Sequence, residues 1–498
     1  MRAALCLALM LLPHLAEAGP KFEPRSLPAS HIYSGGWEHF VGGGVAVLDC
    51  NQDGFDDVFT AGGTAPAQLF INETGGVGGA LKFRQGEGGA LEGVTGAYPL
   101  DIDGDGHLDL AVLRVGPNML LKGGPACSFS EVTELWGLEA GQRWTTAFSA
   151  TWEDGRDWPT LAFGNYVDRN DPEGPFEACD MNEIHRHDGT RYHVQDLAPG
   201  FCALSMLFSD WNRDGTQDLR VSNDRHYYVR GGSEQMWAMP DLVLETGAGW
   251  EPISIWGMGI ASHDLTGDGR PEVVLTSMGD QLMQVASPFG YQAAPFEIGT
   301  YAQRPFTGGD GRPSTGWHAE FGDVNNDGRS DLFIAKGNVD QMPGMAMKDP
   351  NNLLIQGADG RFQEAGSEAG IATMDRSRGA ALHDLNRDGL LDLVVVNRRA
   401  ELELYQNVTP EAGHWIAVEL VQSGANRNAV GAWVEVKLGE RILTQEVTIG
   451  GGHVSGAAGA LHFGLGTAEK VEIRVIWPGP ARGAWQVYDA NQYVTVFR

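Results

Sequence analysis

The sequence predicts an all-β protein, a seven-bladed β-propeller followed by a small C-terminal antiparallel β-domain. Three observations support this prediction. An acid-rich loop recurs six times, its copies follow one another at roughly even spacing, and short runs of β-forming residues flank each copy. In every copy, oxygen-bearing side chains occupy positions one, three and five, glycine occupies position six, and an acid occupies position nine.

The six acid loops share these four oxygen-bearing positions. They are Asp49, Asn51, Asp53, Asp57; Asp101, Asp103, Asp105, Asp109; Asp210, Asn212, Asp214, Asp218; Asp264, Thr266, Asp268, Glu272; Asp323, Asn325, Asp327, Asp331; and Asp384, Asn386, Asp388, Asp392. Alternate positions of a tight loop direct their oxygens at a common centre, an arrangement that suits a hard cation such as Ca²⁺. Glycine at position six permits the sharp turn.

The alternative interpretation is that each Asp-Gly pair only marks a hairpin turn. Six copies with every ligand position oxygen-bearing favour metal binding, so we predict Ca²⁺ at up to six sites. The pattern differs from an EF-hand, which needs a bidentate Glu at position twelve and flanking helices. Because ligand charge helps to set affinity, the second loop should bind most tightly. The fourth, with Thr266 and Glu272, should bind most weakly.

The spacing of the loops predicts the number of blades. Successive loops begin about fifty to sixty residues apart, but the interval between Asp101 and Asp210 is about twice as long. The segment Trp152–Trp158 lies in that interval and keeps the turn without the ligands, which predicts a degenerate unit. Seven units of several short strands indicate a propeller over residues 19–410. Phe22–Arg25 is predicted to complete the last blade and close the ring, which removes free sheet edges.

Residues 411–498 lack acid loops and follow a different pattern. Their alternating runs predict a small antiparallel β-domain, with strands at Trp415–Val421, Trp433–Leu438, Ile442–Ile449, Val471–Trp477 and Tyr493–Phe497. Two glycine-rich segments, 450–452 and 464–466, are predicted to form turns, because no helix start follows them as a phosphate-binding loop would require.

The first 18 residues are predicted to be a cleaved signal peptide. They contain an early Arg, an apolar run from Ala3 to Leu12 and a small-x-small site at residues 16–18. No stretch of the sequence is long and apolar enough to form a transmembrane segment. We therefore expect a secreted or periplasmic protein that begins near Gly19.

Four cysteines remain after the signal peptide. An even number in an exported chain favours disulfides, since no C-x-x-C pair accompanies them. Cys179 with Cys202 is the preferred pair, because it would close one loop region. Cys50 with Cys127 follows by elimination.

The formal net charge of −30 argues against nucleic acid and anionic membrane surfaces as partners. Many of the acids are the predicted metal ligands. Without Ca²⁺ the clustered carboxylates should repel one another and loosen the fold. The charge is therefore consistent with a structural role for the metal.

The acid loops and their apolar flanks resemble FG-GAP or VCBS repeats, the blades of integrin-type propellers with their calcium loops. The C-terminal segment is similar to the ASPIC and UnbV domain, on the evidence of the segments 426–432, 450–455, 461–466 and 477–479. Together they resemble the cartilage acidic protein family over nearly the whole mature chain. The resemblance implies an exported calcium-binding propeller and supplies no catalytic residues. The degenerate third unit departs from it and removes one metal site, whereas Pro480 changes only a local turn.

A second set of residues lies within a dozen positions before the acid loops, where each innermost strand begins. In a propeller this is the rim opposite the loops. The residues are Arg143, Trp144, Trp256, Trp317, His318, Arg376 and Arg378. Aromatic faces and guanidinium groups suit a glycan or a protein edge, but tryptophans here could instead pack between blades. The insertions 165–203 and 280–314 are further candidate binding loops.

Two functions remain open at this stage. The sequence contains no G-x-S-x-G, H-E-x-x-H or P-loop motif. We therefore predict a non-enzymatic binding or adhesion protein, with structural calcium, that recognises an extracellular protein or glycan. The alternative is an extracytoplasmic enzyme that acts on polysaccharide at the channel mouth, because propellers host varied chemistry there.

Overall fold

The computed structural model describes residues 19–87, 90–224, 231–247, 249–479 and 481–498. The predicted signal peptide, residues 1–18, lies outside the described residues, and so does Pro480. The all-β prediction is confirmed, since strands account for nearly all regular structure and the described helices are single turns. These are Trp37–His39, Pro125–Cys127, Phe296–Ile298 and Gly366–Ala369. Among the described residues no helix has the length and apolarity needed to cross a membrane.

The chain up to residue 407 folds into successive four-stranded antiparallel meanders. In chain order the strands are β1 Phe22–Arg25; β2 Val45–Leu48, β3 Asp57–Thr60, β4 Gln68–Asn72, β5 Phe83–Gln85; β6 Val94–Leu100, β7 Asp109–Gly116, β8 Met119–Gly124, β9 Ser128–Glu131; β10 Arg143–Thr151, β11 Thr160–Asn165, β12 Asn182–His187, β13 Tyr192–Leu197; β14 Ala203–Ser209, β15 Asp218–Asn223, β16 Gln235–Ala238, β17 Val243–Leu244; β18 Gly257–His263, β19 Glu272–Ser277, β20 Leu282–Val285, β21 Gln292–Ala293; β22 Gly316–Gly322, β23 Asp331–Lys336, β24 Asn352–Gln356, β25 Phe362–Glu364; and β26 Ser377–His383, β27 Asp392–Asn397, β28 Glu403–Asn407.

The last meander takes its fourth strand from the beginning of the chain. β1 pairs antiparallel with β28, with Phe22 opposite Asn407 and Arg25 opposite Leu404. The first strands of the meanders contact one another in a cycle, from β2 through β6, β10, β14, β18 and β22 to β26 and back to β2. This arrangement is propeller-like, and hydrophobic cores fill the spaces between neighbouring meanders.

The C-terminal part has two packed sheets with a core of their own. Its strands are β29 His414–Val421, β30 Trp433–Leu438, β31 Arg441–Glu446, β32 Gly456–Ala457, β33 Leu461–Gly466, β34 Lys470–Ile476, β35 Gln486–Asp489 and β36 Gln492–Phe497. Most pairs are antiparallel, as predicted. β29 and β36 instead run parallel, because the chain crosses between the sheets before its last strand.

Residues 449–457 leave the C-terminal domain and enter the centre of the ring, so the strand predicted at 442–449 ends at Glu446. This segment, called the plug below, bridges to the first strands of five meanders. Its pairs are Ile449 with Ala150, Gly450 with Leu207, Gly452 with Ile260, Ser455 with Ala97, and Gly456 with Ala46. The glycines at 450–452 are therefore not a surface turn. Their backbone lies where side chains would not fit, since a Cβ at Gly452 would overlap the His318 ring.

The other end of the ring is also filled. Residues 35–42 lie across it, held by two buried guanidinium groups. Arg378 Nε donates to Phe40 O at 2.9 Å, and Arg398 donates to Gly35 O at 3.0 Å. The Phe40 ring packs edge to face against Trp144, with 5.7 Å between centroids. The ring is thus a closed core rather than an open pore.

Candidate functional site

The acid loops join the first and second strands of their meanders. Each begins directly after an innermost strand, so all six lie at the same end of the ring. The interval predicted to hold a degenerate unit is the connection between β10 and β11, which contains Trp152–Trp158. The sharp turn of each loop depends on its position-six glycine. These glycines have φ values from 82° to 91°, a backbone conformation that residues with a side chain rarely adopt.

Within each loop the first aspartate accepts a hydrogen bond from the position-six amide. In the second loop Gly106 N donates to Asp101 Oδ2 at 3.0 Å, and His107 N donates to Asp105 Oδ1 at 2.9 Å. The first pattern recurs at Gly54, Gly215, Gly269, Gly328 and Gly389. These bonds hold the carboxylates on the inner side of the turn.

The position-nine acid has a structural role that the sequence pattern did not show. Both oxygens of Asp57 accept backbone amides, from Cys50 at 3.1 Å and from Asn72 on β4 at 2.8 Å. Asp109 does the same with Ile102 and Gly123, both at 2.8 Å. These carboxylates tie the loop to the third strand of the meander. Burial raises the pKa of Asp57 and of Asp109 to about 7.

The second loop fits a hard cation. Carboxylate oxygens of Asp101, Asp103 and Asp109 lie within 4.8 Å of one another. Asp101 Oδ1 is buried and has no hydrogen-bond partner, and burial raises the pKa of this group. A bound Ca²⁺ would satisfy that oxygen and favour the ionised form.

Lys122 is a feature of this loop that the sequence reasoning missed. Its ammonium group lies 2.7 Å from Asp105 Oδ2 and also contacts Asp103. Although partial burial acts in the opposite direction, the hydrogen bond from Lys122 lowers the pKa of Asp105. Lys122 lies thirteen residues beyond the loop, on β8, and only the meander brings it there. A cation at this loop must therefore share two carboxylates with a lysine.

The first aspartate of the fourth loop has fewer free oxygens than Asp101 of the second loop. Asp264 Oδ1 accepts from Gly267 N and Oδ2 from Gly269 N, both at 2.8 Å. Glu272 accepts from Leu265 N at 2.8 Å, and burial raises its pKa to about 7. Amide donors thus already occupy both Asp264 oxygens, as they also do at Asp49, Asp323 and Asp384. This feature therefore does not distinguish the fourth loop as the weakest site.

The C-terminal domain lies against the acid-loop end of the ring. Tyr493 Oη donates to Asp384 Oδ2 at 2.7 Å, and Asp210 N donates to Glu446 Oε1 at 3.0 Å. A Cβ at Gly464 would overlap the Asp323 carboxylate. The glycines predicted as a turn at 464–466 therefore belong to strand β33, where glycine lets two backbones approach. The domain covers several acid loops directly.

Most of the residues predicted as ligand contacts lie at the other end and are buried, but His318 lies on the acid-loop side, against the plug. Trp144, Trp317 and Arg378 have no exposed surface, and His318 is 4% exposed. Arg378 stacks on the Trp317 ring at 4.0 Å. These four side chains pack the interior of the ring in the conformation described.

The remaining rim residues reach the surface in part. Trp256 and Arg376 are half-buried. Arg143 is 27% exposed at its side chain and pairs with Asp180 and Glu183. At the same end of the ring, the exposed side chain of Trp37 packs edge to face on Trp144, with 4.9 Å between ring centroids. Trp37 precedes the first blade, which is why its place on the rim was not apparent from the repeat.

Each insertion interpreted as a binding loop contains two short strands of a meander and lies mostly outside strands. Segment 165–203 contains β12 and β13, and 280–314 contains β20 and β21.

Both predicted disulfides are present, Cys50 with Cys127 and Cys179 with Cys202. The first of them places both sulfurs beside Asp57. Because these cysteines are oxidised, this group is not a metal site.

Two family models match parts of the chain. The FG-GAP-like repeat matches residues 49–112 and 323–395. The model described as ASPIC and UnbV matches residues 422–498. The chain thus combines FG-GAP-like repeats with an ASPIC and UnbV domain. No curated protein sequence matches it.

Several solved structures are similar to this chain at low identity. BBS1N, in its complex with ARL6DN, is 10% identical over 78% of this chain and 97% of that one, with a TM-score of 0.46. An Agrocybe aegerita lectin that recognises non-reducing terminal N-acetylglucosamine is 15% identical over 74% and 94%, with a TM-score of 0.38. The extracellular domain of a hybrid two-component system from B. thetaiotaomicron is 10% identical over 96% and 58%, with a TM-score of 0.42.

Proposed function

We propose that the protein is an exported, calcium-stabilised seven-bladed β-propeller that acts as a non-enzymatic binding or adhesion protein of the cartilage acidic protein family. The observation that carries the metal role is the second acid loop, where three carboxylates converge and Asp101 Oδ1 is buried without a partner. Lys122 pairs with Asp103 and Asp105, whereas a bound cation would remove the cost of burying Asp101 and Asp109 in their ionised form.

The protein is secreted or periplasmic in this proposal. The two disulfides support an oxidising compartment, where Ca²⁺ suits low-affinity oxygen sites. The signal-peptide pattern of residues 1–18 supports the same assignment.

The ligand surface in this proposal is the rim opposite the acid loops, because the C-terminal domain covers the loop end. The accessible groups there are Arg143, Trp256, Arg376 and the exposed Trp37. A partly exposed guanidinium beside aromatic rings suits an extracellular protein edge or a glycan. The buried Trp144, Trp317 and Arg378 would support that surface from below.

The proposal is tested by melting the mature protein with Ca²⁺ and with chelator, together with metal analysis. We expect several bound ions and a rise in melting temperature on adding Ca²⁺. A double substitution, Asp101→Asn with Asp103→Asn, should lower the stoichiometry by about one ion. Asp359→Asn, at a carboxylate that is 67% exposed, is the matched control. Equal melting temperatures and no bound metal would show that the acid loops are only turns.

A further inference from the structure

A cavity of about 900 Å³ lies between the ring and the C-terminal domain. The glycines of the plug form part of its wall, and so do the ends of β18, β22 and β26. Strands β29 and β31 contribute from the C-terminal domain. The exposed Gln52 and Arg427 border it, so it reaches solvent beside the first two acid loops. Its volume is within the range of small-molecule sites.

One carboxylate is positioned in this cavity by groups that fix its orientation. His453 N donates to His318 Nδ1 at 3.1 Å, so the proton of His318 is on Nε2, which lies 3.2 Å from Glu320 Oε2. Leu382 N donates to the same oxygen at 2.9 Å. The Glu320 side chain is 29% exposed. Glu320 is therefore held through one oxygen, while its other oxygen remains available to a ligand.

A second pair lies beside Glu320. His383 Nε2 is 2.9 Å from Asp56 Oδ2, and each side chain is 15% exposed. Because Leu382 donates to Glu320, the two pairs are adjacent across β22 and β26. Both imidazole–carboxylate pairs line the cavity. Neither pair belongs to the four ligand positions of an acid loop.

The lining determines which ligands fit. Apolar ligands would bury these carboxylates without partners, which is costly. Anions would be repelled by Asp56 and Glu320. Arg387 and Arg427 also line the cavity, so its charge is mixed and does not select a simple cation. Gln445 and Asn428 add amides that donate and accept, and Trp152 adds an aromatic face. A neutral polyhydroxylated molecule both donates and accepts hydrogen bonds at such a surface.

We propose that this cavity binds a neutral saccharide of one or two sugar units, with Glu320 and Asp56 accepting hydrogen bonds from its hydroxyl groups. His318 and His383 are positioning residues that hold the two carboxylates. The inference goes beyond the proposed function, because the site is at the acid-loop end and not at the rim.

The test is isothermal titration calorimetry of the mature protein in calcium buffer. The neutral probes are glucose, galactose, N-acetylglucosamine, cellobiose and maltose, and the charged probes are glucuronate and spermidine. We expect at least one neutral probe to bind at one site, and more tightly than either charged probe. Glu320→Gln and Asp56→Asn should each weaken binding tenfold or more. Glu368→Gln, at an exposed acid on the helical turn Gly366–Ala369, should leave affinity within twofold.

Folding of each variant is checked by its melting temperature, and the Gln and Asn replacements retain a carbonyl oxygen for the existing donors. Two variants in different meanders keep the test usable if one unfolds. Arg143→Ala on the opposite rim should not change saccharide binding, which separates this site from the rim. Binding of none of the neutral probes, tighter binding of a charged probe, or unchanged binding in both folded cavity variants would overturn the proposal.

Discussion

Tyr493 Oη donates a hydrogen bond of 2.7 Å to Oδ2 of Asp384, the first carboxylate of the sixth acid loop. The same oxygen accepts Gly389 N at 2.8 Å. The guanidinium of Arg387 lies 3.9 Å from the centre of the Tyr493 ring. A side chain of the C-terminal domain is thus bonded directly to a candidate metal ligand. Docking of the C-terminal domain is therefore physically linked to the conformation of the sixth acid loop.

Tyr493→Phe should destabilise the docked domain. A hydrogen bond to a charged group contributes about 1.5–3 kcal/mol. Because this bond is partly buried, we expect a loss near the lower end of that range with little change in fold. Urea denaturation at fixed Ca²⁺ measures it. The control is Tyr488→Phe, whose hydroxyl bonds to Gln486 in an exposed position. Equal stabilities of the two variants would show that the Tyr493 contact does not hold the domain.

Lys122→Met should strengthen Ca²⁺ binding at the second loop. The ammonium group contacts Asp103 and Asp105, so a cation must displace or tolerate it. Removing the positive charge should increase affinity by about tenfold, since ligand charge sets calcium affinity. The Gly106 amide, followed by NMR during a calcium titration, reports on this loop alone.

The matched control for that substitution is Lys82→Met. Lys82 is 70% exposed and pairs with Glu73, and neither residue belongs to the second loop. Its removal should leave the Gly106 titration unchanged. Weaker Ca²⁺ binding at the second loop in Lys122→Met would mean that Lys122 helps to organise the carboxylates.

The acid loops were predictable because their information is local. Asp101 to Asp109 span nine residues, and the glycine that permits the turn lies among them. The pairing of Phe22–Arg25 with β28 was also predictable, because the last repeat lacked a fourth strand. Both features depend on a repeated pattern that the sequence displays directly.

The plug and the docked domain were not predictable in the same way. The pairing of Gly456 with Ala46 joins residues that are far apart in sequence, and no periodicity marks it. The burial of Trp144 and Trp317 depends on residues 35–42 and on the plug, which fill the ring from its two ends. A tryptophan that faces an empty channel is exposed to ligands. Because this channel is filled, Trp144 and Trp317 are part of the hydrophobic core.

The pH dependence of stability should include a contribution from Glu364. Burial raises its pKa to about 7, well above its value in an unfolded chain. The folded state therefore binds this proton more tightly. The tighter binding of this proton raises the free energy of unfolding by an amount that is fully present below about pH 4 and is lost as the pH rises through 7. The upper bound of this contribution is roughly 3 kcal/mol.

Glu364→Gln removes this titration. As the pH rises from 5 to 8, the free energy of unfolding of the unsubstituted protein should therefore fall relative to that of the Glu364→Gln variant. Glu364 is not a member of any acid loop, so the comparison can be made at constant saturating Ca²⁺. Glu368→Gln, four residues further on and exposed, should show no such shift. A difference that is constant across the pH range would contradict the raised pKa.

Gly452→Ala tests whether the plug holds the two parts of the molecule together. Gly452 has φ of +54°, and an added Cβ would overlap the His318 ring, whose movement the bond from His453 N opposes. Strain and overpacking should cost about 3 kcal/mol. Gly344→Ala, where a Cβ meets open space, is the control. We expect limited proteolysis to release the C-terminal domain faster in Gly452→Ala only. Equal proteolysis rates would show that docking against the acid loops suffices without the plug.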